Sequence, residues 1–160
     1  MRIHSLPESK RYADTPIEYS ILLERQNTVA TEVLRDQGRC VVFVGRYPEG
    51  DHPVDIRPQL LGGIKGSKFE LFEERKGEDE DELLLHIWCA PLMWATNKFD
   101  HIIRSVADEE VTNVMFVSLE TGESYAPYDG GADLFLSSSS RRNLLKAKYK
   151  DWLSAHPEGW

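Results

Sequence analysis

Only two cysteines, Cys40 and Cys89, occur in 160 residues. That leaves room for one disulfide at most and excludes a disulfide framework as the source of stability. Both lie in apolar, strand-like surroundings and read as buried thiols of a reducing compartment. No apolar run approaches the ~18 residues that a membrane-spanning helix needs. Met1-Arg2-Ile3-His4-Ser5-Leu6-Pro7 has no apolar h-region, so it does not read as a secretory signal. A cytoplasmic protein without membrane contact is the expectation. The chain also lacks a phosphate loop, a dinucleotide fingerprint, a nucleophile elbow and paired-cysteine zinc spacing. No cofactor and no metal are therefore expected. Gly62-Gly63-Ile64-Lys65-Gly66-Ser67 sets glycines before a Lys and a Ser but lacks the Gly-Lys-Ser order, and it reads as a loop. Positive charge is scarce: 19 Lys and Arg face 27 Asp and Glu, a net charge of −8. A phosphate backbone would be repelled overall, which argues against nucleic-acid binding.

Against those absences, 41% hydrophobic and 29% charged residues mark a globular chain rather than a disordered one. At this length one domain, 1–160, buries roughly 68–70% of its unfolded surface. Residues 1–13 read as a loose N-terminal arm. Thr15-Pro16-Ile17-Glu18 is a capping box with proline at the first helical position, and it predicts a helix to about residue 36. Gly38 is expected to stop that helix in the left-handed conformation. Cys40 to Gly45 is a continuous apolar run and predicts a central strand buried on both faces.

Residues 46–67 read as a long loop. Segments 68–75 and 82–89 predict a hairpin around an acidic turn. Pro91 is read as the first turn of a second helix, with Leu92, Ala95, Phe99, Ile102, Ile103 and Val106 as its buried stripe. Val111 to Leu119, Ser124 to Tyr128 and Ala132 to Leu136 predict three more strands, with Gly122 supplying positive φ in the first turn. Ser138 or Ser139 caps a third helix whose buried stripe is Leu145, Tyr149, Trp152 and Leu153. Short turns between strands imply antiparallel pairing. The predicted fold class is α+β: a mainly antiparallel sheet of five or six strands with three helices packed on it.

The polar cluster Tyr128, Asp129 and Asp133 is the one that looks placed. Asp129 suits the Gly130-Gly131 turn. Asp133 lies inside an apolar strand, where a carboxylate is costly unless paired; Arg141, Arg142 and Arg104 are the candidate partners, and a ligand pocket is the alternative. Trp94 falls off the stripe of the second helix and is read as an exposed interface residue, through which a homodimer or a protein partner would bind. Of the five histidines, His101 follows Asp100 directly, but neighbours on a helix point apart and do not form a catalytic couple by themselves.

A strand, a tight turn, a strand running through Tyr128, Asp129 and Asp133, and a helix ending in Tyr149 and Trp152 resembles a family of uncharacterised bacterial domains. Their usual pattern is near YDDRGxD, and the match covers roughly residues 110–155. This chain has Gly130-Gly131 where that pattern has Asp-Arg-Gly, and it is one residue shorter before the last Asp. The resemblance implies a fold and no activity.

The functional expectation is a non-enzymatic binding or interaction protein, with Tyr128, Asp129, Asp133 and Trp94 as its binding residues and no catalytic residue. An immunity- or antitoxin-like role is one concrete version, because small acidic proteins suit basic partners. The alternative is a small hydrolase with a pocket around Asp129, Asp133 and His101.

Overall fold

The computed structural model describes residues 1–47, 60, 63, 66–74 and 83–153. Among them are strands β1 (Arg2–His4), β2 (Arg39–Arg46), β3 (Ser67–Glu74), β4 (Leu83–Met93), β5 (Val114–Ser118), β6 (Ser124–Tyr128) and β7 (Gly131–Phe135). The helices are α1 (Pro16–Leu34), α2 (Asp100–Ala107) and α3 (Ser139–Lys148). The strands form one sheet in the order β1-β7-β6-β5-β2-β4-β3, and every neighbouring pair is antiparallel. The α+β class with three helices holds. Among the described residues the sheet has seven strands rather than five or six, and the added strand, β1, comes from the segment expected to be a loose arm.

What ties that segment down is a ladder at the sheet edge. Ile3 faces Ala132 across the β1–β7 pair and is buried. The Met1 ammonium donates to Leu134 O at 2.8 Å, Leu134 N–H donates to Met1 O at 2.7 Å, and Ser5 N–H donates to Gly130 O at 3.0 Å. Three residues are too few for an alternation signal to show in sequence.

α1 begins as its capping box dictates: Glu18 N–H donates to Thr15 Oγ1 at 3.2 Å, and Thr15 N–H donates to Glu18 Oε2 at 3.0 Å. Its buried face carries Leu22, Gln26, Val29, Ala30 and Val33. The helix ends differently from expectation. Arg35 and Gln37 take the positive φ values, 64° and 58°, and Gly38 does not. Gly38 is required for closeness instead, since a Cβ there would stand 1.9 Å from Leu34 O.

β2 is central, between β4 and β5. Cys40, Val42 and Val44 are fully buried on one face, while Val41 and Phe43 on the other are half-buried. β4 runs through Pro91 to Met93, so the helix expected from Pro91 is corrected: α2 starts only at Asp100. β3 first pairs at Ser67, opposite Cys89. Among the described residues, Pro91 therefore has a strand on one side only, where a missing N–H is tolerated. Leu92 belongs to β4, whereas Phe99, Ile102, Ile103 and Val106 are buried as expected.

Gly122 has φ 71° in the β5–β6 turn. Ser138 Oγ accepts Arg141 N–H at 3.1 Å and caps α3. α3 stops at Lys148, and a single 3-10 turn, Lys150–Trp152, follows, with the Tyr149 and Trp152 rings stacked at 4.9 Å. The acidic turn over 76–82, most of the 46–67 loop, His52, His156 and Trp160 lie outside the described residues.

α1 packs against β5, β6 and β7, α2 against α1 and β6, and α3 joins α1 through Arg141 and Lys148 at Glu32. Trp94, Phe99, Phe116 and Tyr125 form an aromatic cluster, with ring centroids 5.4 to 6.1 Å apart. No helix among the described residues is long and apolar enough to cross a membrane.

Candidate functional site

Gly131 explains why the N-terminal segment and the β6–β7 turn meet. A Cβ on Gly131 would lie 2.0 Å from Ile3 O, so only glycine lets β1 approach β7 here. Asp129 and Gly130 make the two-residue turn, because Tyr128 pairs directly with Gly131. Asp129 Oδ1 accepts the Gly130 N–H at 2.8 Å and so closes its own turn.

Once β1 is in place, the two carboxylates meet arginines from the segment that precedes α1. Arg2 and Asp133 are register partners, and the guanidinium grips both carboxylate oxygens, Nε to Oδ1 at 3.0 Å and Nη2 to Oδ2 at 2.7 Å. This fork also raises the Arg2 pKa. The partner of Asp133 is thus Arg2, not Arg141, Arg142 or Arg104. Arg11 reaches Asp129 Oδ2 at 2.5 Å through both Nε and Nη2, and the single proton of the Tyr12 hydroxyl is shared between that oxygen and Glu109 Oε1, each at 3.3 Å. Burial pushes the Asp129 pKa upward, but Arg11 and the Gly130 N–H outweigh it and hold the carboxyl below its ordinary value.

These contacts wall a hollow of ≈ 360 Å³ lined by Arg2, His4, Ser9, Arg11, Tyr128, Asp129 and Gly130. The Arg2 guanidinium sits 5.0 Å over the Tyr128 ring. Burial pushes the Tyr128 phenol up to about 12, so it keeps its proton. His4 is shifted the other way: burial, then the charges of Arg2 and Arg25, lower its pKa and favour the neutral imidazole. Its Nε2 is buried and has no hydrogen-bond partner among the described residues.

Of the residues expected to bind, Tyr128 and Asp129 line this hollow, and Asp133 holds one of its arginines. His101 lies on the exposed side of α2 and does not line the hollow. Trp94 is a correction. It lies in the link between β4 and α2, is 0% exposed, and donates its Nε1–H to Thr31 Oγ1 at 3.0 Å. It anchors the core and offers no surface for a partner. Arg2, His4, Ser9 and Arg11 were missed because their segment reads as a tail, and three residues around Ile3 are too few to mark a strand.

A second hollow, of ≈ 400 Å³, lies between α1, residues 96–97 and the end of α3. Two of its charged groups, Lys148 and Glu32, pair with each other: Lys148 Nζ donates to Glu32 Oε2 at 2.7 Å, and Tyr149 OH donates to the same oxygen at 3.1 Å. Among the described residues, no group of three or more His, Cys, Asp or Glu side chains is arranged to hold a metal ion.

A family model described as a domain of unknown function (DUF3885) matches residues 1–157. No curated protein and no solved structure matches the chain.

Proposed function

The chain belongs to that family of domains of unknown function, and from that premise we propose that it is a non-enzymatic binding module whose recognition surface is the hollow walled by Arg2, His4, Ser9, Arg11, Tyr128 and Asp129. One observation carries the reading. The two carboxylates that would have to do acid–base work are each engaged by a guanidinium: Asp129 by Arg11 and Asp133 by Arg2. A general base needs a lone pair aimed at the proton it removes. Both oxygens of Asp129 already accept, from Gly130 and Arg11, and so do both of Asp133. These groups suit the wall of a binding site better than the centre of a hydrolase. A volume of ≈ 360 Å³ falls within the roughly 300–1,000 Å³ of small-ligand clefts. It suits a small molecule or one side chain of a larger partner.

Chemical-shift mapping with a library of small charged and neutral compounds tests this. Perturbations should gather on residues 2–11 and 128–131. Binding confined to other surfaces would contradict the reading. So would turnover of any substrate that Asp133→Asn abolishes without lowering the melting temperature.

A further inference from the structure

Deepening that reading of the hollow, and resting on it, we propose that its ligand is an oxyanion, a phosphate or carboxylate group, taken by the spare donors of Arg2, His4, Ser9 and Arg11. A guanidinium carries five N–H donors and no acceptor. Arg2 gives Nε and Nη2 to Asp133, and Arg11 turns Nε and Nη2 toward a single oxygen of Asp129. Each therefore spends one edge and keeps about three donors. The acceptors run out first. Asp129 takes the Gly130 N–H on Oδ1 and Arg11 on Oδ2; Asp133 is occupied at both oxygens. What lines the space is thus rich in donors and short of acceptors.

His4 adds an independent reason. Its Nε2 is buried without a partner among the described residues, and such orphaned atoms are costly and rare in folded proteins. His4 lines the hollow, and in the tautomer that carries its proton on Nε2 a small turn of the ring would bring one more donor to an oxygen bound there. Exposure decides the sign of the ligand. The Asp129 side chain is 11% exposed and that of Arg11 62%, so an entering group meets the guanidinium rather than the carboxylate. The net charge of −8 disfavours a polyanion such as a nucleic acid. A small oxyanion, or one terminal oxyanionic group, is the chemistry that fits.

The test follows the His4 imidazole and the Ser9 and Gly130 amides by NMR at constant ionic strength and neutral pH. The full chain is titrated in parallel with inorganic phosphate, sodium acetate and methylammonium chloride. Saturable shifts at these groups with phosphate or acetate support the proposal, and the arm that saturates at lower concentration identifies a phosphoryl or a carboxylate ligand. Arg11→Gln should weaken that binding about tenfold, the loss of one charge-assisted contact. Ser9→Ala should weaken it less, and it serves as the second variant should Arg11→Gln fold poorly. Methylammonium shifting these groups while both anions leave them still would overturn the oxyanion and leave the hollow as the recognition surface. Anion shifts that map elsewhere, or that neither variant alters, would overturn both.

Discussion

The phenol of Tyr125 on β6 donates to Oε1 of Gln26 on α1 at 2.7 Å, and both groups are buried. The same Gln26 side chain donates from Nε2 to Ser5 Oγ at 2.7 Å and to Gly131 O at 2.8 Å. One amide therefore links the long helix to the segment after β1, to β6 and to β7, with its carbonyl and both N–H donors satisfied. A satisfied buried network specifies one packing arrangement, while a half-satisfied one is costly.

Tyr125→Phe leaves Gln26 Oε1 without its donor. The expected cost is about 1–3 kcal/mol, the penalty for an unmet buried acceptor, read as a fall in the midpoint of urea unfolding with the slope unchanged. A change within ~0.3 kcal/mol would mean that the network relaxes freely.

Gly131→Ala and Gly122→Ala separate two uses of glycine. At Gly131 the new methyl meets Ile3 O at 2.0 Å, so β1 must move off β7. A loss of about 3 kcal/mol, the upper end for overpacking, is expected with faster amide exchange at Ile3. At Gly122 nothing lies within 4 Å but φ is 71°, so only backbone strain opposes the substitution, about 1 kcal/mol. Amide exchange at Ile3 should be unaffected there.

Trp94→Ala removes the largest fully buried side chain among the described residues and should cost about 3–5 kcal/mol. Trp94→Phe retains most of the packing and loses the bond to Thr31, so its cost should be about 1 kcal/mol. Sedimentation of Trp94→Phe should match the parent, since the side chain contributes no surface.

Acid should weaken the start of α1. Glu18 is pulled down to about 2, first by the Lys10 ammonium and then by the Asp14 N–H. A carboxyl lowered in the fold stabilises it fully above its unfolded value, and that contribution disappears as pH falls through the folded value. The melting temperature of the parent should therefore exceed that of Glu18→Gln near neutrality. The gap should close between about pH 5 and about pH 2. A gap that persists at the acid end would show that the side chain acts through its shape and not its charge.

Local chemistry made much of this fold legible. Thr15, Pro16 and Glu18 start α1, Gly122 turns β5 into β6, and Ser138 caps α3, because each signal lies within four residues of its effect. Pro91 misled for the same reason, since a proline opening a helix and a proline in a half-paired strand look alike over a short window. That error carried Trp94 onto a helix it does not occupy and made it look exposed. The hollow was half legible. Asp133 in an apolar strand demanded a cation, but Arg2 lies 131 residues away in sequence, and only the docking of β1 brings the two together. No periodicity or spacing encodes a partner at that distance.

The most direct test of the central claim is chemical-shift mapping with the same compound library on the parent and on Arg11→Gln side by side. The parent should show ligand-induced shifts concentrated on His4, Ser9, Tyr128 and Gly130, and the variant should lose most of them while keeping its fold. Equal shifts in both proteins, or shifts gathered at the Glu32 and Lys148 hollow instead, would contradict the assignment of the recognition surface.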